Sequence, residues 1–223
     1  MNGFDVQYFE KYKYVVGMDE AGRGPIAGPV FSAAVFVSSL DELKFVCEIG
    51  ADSKSLNEKE RERRYRLITD NLIFVSSYVS AEDIDLYNIF KATQMSMLSN
   101  YEKLFSAGRE GYVIVDGKNF KFPFRNECII KGDQKSSIIG AASIIAKYER
   151  DAYMVKLSQK YSQYGFEKHK GYPTKLHEQM VKKYGIFNEF RITFDPVRTL
   201  IVNGQIIADR SEFSAQRLLR IGM

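Results

Sequence analysis

The chain has 223 residues, 45% hydrophobic and 27% charged, the make-up of a soluble globular protein with an ordinary core. Its longest nearly apolar stretches, Pro29 to Val37 and Ile138 to Ala146, are about half a membrane span, and Met1 to Lys13 holds charges and no apolar h-region. No membrane segment and no signal peptide are expected, so a cytoplasmic location follows. Cys47 and Cys128 form no cluster, and His169 and His177 are too few for a histidine metal centre. Any metal here must be held by oxygen.

The net charge of +4 hides an asymmetry. Met1 to Tyr112 holds 13 basic and 17 acidic residues, a balance of −4, whereas Val113 to Met223 holds 19 and 11, a balance of +8. The second half could offer a polyanion a positive surface, or carry an ordinary solvated mixture of charges.

Taken in chain order, Tyr14 to Met18 predicts a strand, and after a Gly/Pro loop the apolar run Val30 to Val37 predicts another. Asn57 to Thr69 predicts a charged helix, opened by Asn57 with Glu60 three residues on. Leu72 to Val79 is a third β-rich run. Ser80 and Asp83 repeat the capping signal before a helical stretch reaching about Phe105. Tyr112 to Val115 and Cys128 to Ile130 predict two short strands. From Gln134 to about Lys160 runs the longest helical pattern, and its small-residue centre, Gly140 to Ser143, would let a helix approach a sheet closely. Glu167 to Thr174 is loop-like, and Thr174 could cap a helix ending near Tyr184, with Gly185 at the C′ position. A last helix is expected over Glu212 to Leu219. The alternation of helix and strand predicts an α/β sheet in a single domain, with a core of about 14–197 and a helical extension over 198–223.

Three pieces carry chemistry. In the first, Gly17 to Pro29, Asp19 and Glu20 sit where the first strand is expected to finish. Both can reach one site only if the strand ends or bulges there, and the glycines make such a break plausible. The G-x-G-x-x-x-G loop is followed by a strand and so departs from the dinucleotide fingerprint, which opens a helix; it reads better as backbone that approaches a ligand closely. The second is Asp116, an acid at the end of a buried strand, where ligands gather in open α/β sheets. The third is Asp133, placed either to cap the long helix or to face the same site. Four carboxylates round one sheet would repel one another without cations. Hard divalent ions with oxygen ligands are the natural partner, and magnesium completed by substrate phosphate points to phosphoryl transfer.

The string Asp19-Glu20-Ala21-Gly22-Arg23-Gly24-Pro25-x-Ala27-Gly28-Pro29-Val30 resembles the signature of the ribonuclease HII family, the bacterial type 2 ribonucleases H. The resemblance continues through Asp52-Ser53-Lys54, Asp85-x-Tyr87-Asn88-Ile89, Val115-Asp116-Gly117 and Lys131-Gly132-Asp133-x-Lys135. It runs on through Ala141-Ala142-Ser143-Ile144-x-Ala146-Lys147, His169-Lys170-Gly171-Tyr172-x-Thr174 and Phe194-x-Pro196-Val197. It implies a ribonuclease-H-like fold: a five-stranded mixed sheet flanked by helices, with a helical C-terminal portion. It implies an endonuclease that hydrolyses the RNA strand of RNA–DNA hybrids and incises 5′ of ribonucleotides embedded in duplex DNA, leaving a 5′-phosphate and a 3′-hydroxyl. A role in DNA replication and repair goes with that activity. Carried over by position, Asp19, Glu20, Asp116 and Asp133 become the catalytic and metal-binding quartet, holding two Mg²⁺ or Mn²⁺ ions roughly 3.5–4 Å apart. Gly22, Arg23 and Gly24 match a loop that reads the ribose 2′-hydroxyl, and Tyr172 matches its aromatic partner. Lys54, Asn88, Lys147, His169, Lys170 and Thr174 are candidate phosphate contacts, which position a duplex without reading its sequence.

Phe190-Arg191-Ile192-Thr193-Phe194 departs from the family's histidine–arginine–x–serine–phenylalanine string, which leaves any role of that histidine without a bearer. Gln216-x-x-Leu219 resembles the start of a sliding-clamp-binding peptide, but the aromatic pair is missing. Clamp binding is therefore unsupported and the segment reads as an ordinary helix end. Ribonuclease HIII adds an N-terminal domain for which the 18 residues before Asp19 are too few. A non-catalytic hybrid-binding protein on the same fold is the alternative; loss of an acidic residue would have signalled it. A phosphatase-like metal enzyme explains the carboxylates but neither the loop nor Tyr172. A monomer is expected, since nothing resembles a heptad seam or a repeat interface.

Overall fold

Five strands among the described residues, β1 (Val15–Ala21), β2 (Val30–Val37), β3 (Ile73–Val79), β4 (Tyr112–Asp116) and β5 (Asn126–Ile129), form one sheet in the order β3-β2-β1-β4-β5. The computed structural model describes residues 3–49, 56–106, 111–206 and 208–223. Strand β1 is central, antiparallel to β2 and parallel to β4, which is itself parallel to β5. The sheet is mixed, as the family resemblance implied. All eight residues of β2 are buried, which is why that run shows no alternation and is apolar except for Ser32, whose hydroxyl is hydrogen-bonded to Ser96 and Asn100.

The helices among the described residues are α1 (Gly3–Phe9), α2 (Leu40–Ile49), α3 (Glu58–Asn71), α4 (Ala81–Tyr87), α5 (Ile89–Phe105) and α6 (Gly132–Lys135). They continue with α7 (Ser137–Lys160), α8 (Phe166–His169), α9 (Lys175–Tyr184), α10 (Val197–Val202) and α11 (Ala215–Leu219). Three sequence-predicted caps are present: Asn57, Ser80 and Thr174 each accept the amide three residues on, from Glu60, Asp83 and His177. Helix α2 was not expected, although its signal is legible. Ser39 Oγ accepts the Glu42 amide and Glu42 Oε2 accepts the Ser38 amide, a variant of the capping box.

Two expected helices are broken. The stretch toward Phe105 is interrupted at Asn88, whose φ of 69° ends α4 and whose Oδ1 then accepts the Lys91 amide to open α5. The long pattern from Gln134 is likewise two helices. Asp133 is not the cap: Lys131, in the left-handed region at φ 56°, precedes α6, and Ser136 is extended between α6 and α7. Ser136 Oγ accepts the Ile139 amide, and the buried Asp5 carboxylate accepts the Ser137 amide, so α7 is capped locally and from α1. At the C-terminus, a 3₁₀ turn over Arg210–Glu212 precedes α11, which begins at Ala215 rather than Glu212.

The backbone groups into two compact units. The first comprises Met1–Ala21, Phe31–Ser77 and Gln94–Tyr148; the second comprises Gly22–Val30, Tyr78–Thr93 and Glu149–Met223. Residues 198–223 fall in the second unit. In the first unit, Ile138, Ala141, Ala142 and Ile145 of α7 belong to the core that also holds Val15, Ala33 and Val35 of the sheet. The small centre of α7 allows close contact with the sheet. At Gly17 a Cβ would lie 2.6 Å from the Ile138 carbonyl carbon and 2.7 Å from the Ile139 nitrogen, both backbone atoms. Gly17→Ala is accordingly expected to cost about 1–3 kcal/mol of stability through overpacking. A lowered urea midpoint with an unchanged slope checks this; a wild-type midpoint would mean that α7 yields. In the second unit, Phe166, Phe187, Phe190 and Ile192 form a separate apolar cluster.

Candidate active site

Strand β1 carries Asp19 and Glu20 within its length, opposite Ala33 and Ser32 of β2. The break or bulge expected there is absent, and pairing runs on to Ala21 opposite Phe31. Alternation starts the two side chains on opposite faces, but Asp19 still feels both the Glu20 and the Asp116 charge. Asp19 is 4% exposed. Burial first, then the Glu20 and Asp116 charges, raise its carboxyl well above the ordinary value, against hydrogen bonds from Ser143 and the Glu20 amide.

Asp116 ends β4, and Gly117 turns the chain away at φ 110°. Asp116 Oδ1 accepts the Gly132 amide at 2.6 Å. A Cβ at Gly132 would meet Ile139 Cδ1 at 2.7 Å and that same oxygen at 3.2 Å, so glycine lets the turn close on the carboxylate. Asp133 follows directly and is buried in α6. The first unit thus contains all four expected carboxylates: Asp19, Glu20 and Asp116 interact electrostatically, and Asp133 lies next to the amide that orients Asp116.

Among the described residues, no group of three His, Cys, Asp or Glu side chains closes into a cage for one ion. The donor set still fits magnesium or manganese. Such an ion is commonly held by one or two carboxylates and completed by water and substrate phosphate. Asp19, buried beside two like charges, is a carboxylate whose ionised form a cation would favour.

The second unit holds the glycine loop and Tyr172. Gly22 is at φ 96°, and a Cβ there would lie 2.0 Å from Arg150 Nε, so only glycine fits. Arg191 donates to the carbonyls of Gly22, Arg23 and Gly28 at 2.7, 3.1 and 2.9 Å. Arg23 and Gly24 are exposed, and the open side of Gly24 faces Tyr172 Cε1 at 3.6 Å from its absent Cβ. Tyr172 is 42% exposed, and the Arg150 guanidinium lies 5.8 Å from its ring centroid. Two stacked imidazoles hold the backbone at this point. His169 Nδ1 accepts the Gly171 amide, leaving its Nε2–H to donate to the Tyr164 carbonyl, while His177 Nδ1–H donates to the Tyr172 carbonyl. Burial disfavours the charged form of both rings, lowering His169 and bringing His177 to about 4.

The ribonuclease HII family profile matches residues 16–196. The chain belongs to the ribonuclease HII family. The ribonuclease HII of Thermotoga maritima is 41% identical over 201 residues, covering 90% of this chain and 81% of that one. The ribonuclease HII of Caldicellulosiruptor bescii is 43% identical over 189 residues, covering 83% and 88%. Among solved structures, the ribonuclease H2 of Pyrococcus horikoshii superposes with a TM-score of 0.71 at 27% identity, over 85% of this chain and 98% of that one. As a ribonuclease H the chain is a nuclease, and its mixed sheet is the family's fold. No helix among the described residues is long and apolar enough to cross a membrane.

The remaining residues expected from this ribonuclease HII resemblance divide by exposure. Lys54 lies outside the described residues. Asn88 and Thr174 are exposed helix caps, and Lys147 and Lys170 are half-buried; Lys170 Nζ donates to the Glu167 carbonyl. His169 does not suit phosphate contact: it is buried, and both ring nitrogens are engaged by backbone. Phe190, standing where the family string has histidine, is fully buried beside His177 and Phe187. Sequence reasoning missed Ser143, which hydrogen-bonds Asp19, and the buried Arg150, Arg191 and Arg217. Ser143 could have been found, because it sits one helical turn from Lys147 inside a matched motif. Nothing in composition distinguishes the three arginines from surface ones.

Proposed function

We propose that this chain hydrolyses the RNA strand of RNA–DNA hybrids and incises 5′ of single ribonucleotides in duplex DNA, leaving a 5′-phosphate and a 3′-hydroxyl. Asp19, Glu20, Asp116 and Asp133 would hold two divalent ions, Mg²⁺ or Mn²⁺. The reading is carried by the buried Asp19, whose ionised form is disfavoured by Glu20 and Asp116 until a cation arrives. Divalent ions held by these carboxylates would supply Lewis acidity for activating water and for neutralising charge on the phosphate and the leaving oxygen. Ser143 and the Glu20 amide hold Asp19, and the Gly132 amide holds Asp116, so two carboxylates are oriented before substrate arrives.

Only Ala21 separates Glu20 from Gly22 in the chain. The Gly22-Arg23-Gly24 backbone hydrogen-bonds the 2′-hydroxyl, the one group that distinguishes RNA from DNA at a given position. The half-exposed Tyr172 ring lies against the sugar and reads no base. Asn88, Lys147, Lys170 and Thr174, with Lys54, contact phosphates. The substrate is held by shape and charge, and replication and repair of DNA in the cytoplasm is the setting in which such substrates arise.

Duplex DNA carrying one ribonucleotide, incubated with the protein in Mg²⁺, tests this reading. A single cut 5′ of the ribonucleotide with the stated ends is expected, with none in the all-DNA duplex. No cut, or equal cutting of both, would sink it. The same duplex gives a second measurement. With four to six phosphate contacts, log affinity should fall against log salt with a slope of about −4 to −5. A nearly flat slope would mean that the basic excess after residue 112 is solvated surface.

A further inference from the structure

Arg150, Arg191 and Arg217 are all fully buried, an unusual position for a group that keeps its charge. All belong to the second unit. The acceptors of Arg191 are three carbonyls of one loop, Gly22, Arg23 and Gly28, each taken by a different guanidinium nitrogen. Backbone bonds tie the same loop to the same segment: Arg191 N donates to the Ile26 carbonyl at 2.9 Å and Gly28 N to the Glu189 carbonyl at 2.8 Å.

The choice of acceptors sets the outward face of the loop. In a planar trans peptide the carbonyl and the following N–H point in opposite directions. Pinning the Gly22 and Arg23 carbonyls onto Arg191 therefore turns the amides of Arg23 and Gly24 away from the guanidinium. The planar fork of arginine can hold several acceptors in a fixed relation, which a single ammonium cannot.

Arg191 sits in a segment without regular helix or strand, and a second arginine holds that segment. Asp85 Oδ2 accepts the Ile192 amide at 3.0 Å, and Oδ1 accepts the Thr193 amide at 3.0 Å and the Thr193 hydroxyl at 2.5 Å. Arg217 of α11 pairs with Asp85 through Nε at 3.0 Å and Nη2 at 2.7 Å. It also donates to the carbonyls of Asn188 and Phe190, on the near side of Arg191. The segment is thus clamped before and after Arg191 by one buried ion pair. Arg217 lies beyond residue 196, where the family match ends.

We infer that Arg191 is a positioning residue that presents the Arg23 and Gly24 amides to the 2′-hydroxyl, and that Asp85 with Arg217 fixes its register. The inference rests on the reading that this loop meets the ribose. The C-terminal helix is then part of the specificity machinery. Burial and the charge of Arg150 lower Arg191 to about 9, with Asp85 opposing; the loop sits over two buried positive charges, which suits an approaching phosphodiester.

Arg191→Lys keeps a charge and loses the fork. On duplex DNA with one ribonucleotide, kcat per folded molecule is expected to fall about a hundredfold, as for a misplaced reacting group. KM should move less than about threefold, and the Mn²⁺ affinity of the free protein should not change, since no carboxylate ligand is touched. A purely structural role would lower the melting temperature and leave kcat per folded molecule at the wild-type value, which overturns the inference. If Arg191→Lys shows no cooperative unfolding transition, Thr193→Val decides. It removes only the hydroxyl bond to Asp85, and a loss of about tenfold in kcat is expected, the scale of one hydrogen bond to a charged group. A wild-type kcat in that folded variant overturns the inference. Wild-type protein that leaves the ribonucleotide duplex uncut sinks the functional reading as well; active wild type beside fully active variants sinks only the inference.

Discussion

Asp19→Asn is expected to lower turnover on a ribonucleotide-containing duplex by roughly a thousandfold or more while the metal-free protein becomes no less stable. The two effects have one cause. Asp19 is buried beside the charges of Glu20 and Asp116, so its ionised form is costly in the folded protein. Asparagine removes the charge, keeps an oxygen for the Glu20 amide, and coordinates a divalent ion poorly. The pH dependence follows from the direction of the shift. A carboxyl raised in the folded state binds more protons there than in the unfolded chain. Its contribution to stability is therefore present at low pH and lost as pH rises from about 4 through the raised value. Without metal, Asp19→Asn should match or exceed wild type at pH 7, by about 2–4 °C in Tm for each kcal/mol of repulsion removed. The difference should vanish toward pH 3. Calorimetric scans of both proteins with chelator, beside turnover in Mg²⁺, measure this. A variant that loses 10 °C in Tm (roughly 3 kcal/mol) at pH 7 would make Asp19 a structural residue; one with near-wild-type turnover would remove it from the chemistry. Asp116→Asn should behave alike in turnover, because asparagine can still accept the Gly132 amide.

Tyr172→Ala carries the second large effect, a fall of about a hundredfold in turnover at a single embedded ribonucleotide, with Mn²⁺ affinity of the free protein unchanged. The ring is 42% exposed and close to the open side of Gly24, so its loss leaves the fold's interior intact. Its backbone is held independently by His169 and His177, which accept the Gly171 amide and donate to the Tyr172 carbonyl. A substitution at the side chain therefore tests the ring alone. Tyr172→Phe should be intermediate if the phenol hydroxyl also bonds substrate and nearly harmless if only the ring packs on the sugar. Steady-state rates of both variants, with Mn²⁺ titrations of the metal-free proteins, distinguish these cases. Unchanged turnover in Tyr172→Ala would leave the 2′-hydroxyl to the glycine loop alone.

Much of this protein is local and therefore legible in one dimension. The runs Val30 to Val37 and Tyr112 to Val115 read as buried strands, and Asn57, Ser80 and Thr174 cap helices through atoms three residues away. The four candidate carboxylates and the Gly22-Arg23-Gly24 loop stand out in the sequence because each lies in a short motif at a predicted strand end or helix start. What escaped was whatever depends on distant partners. The run from Gln134 looks like one helix because propensity does not register that Ser136 must turn while Asp5, over a hundred residues earlier, takes the next amide. Asp133 reads as a cap until the fold supplies Ser136 for that duty. His169 has the sequence company of a phosphate ligand, but burial and two backbone partners occupy it. Arg191 and Arg217 look like any surface arginines. Only the tertiary structure brings Gly22, Gly28 and Asp85 to their guanidinium forks, because the desolvation cost of a buried cation is offset by partners far away in sequence.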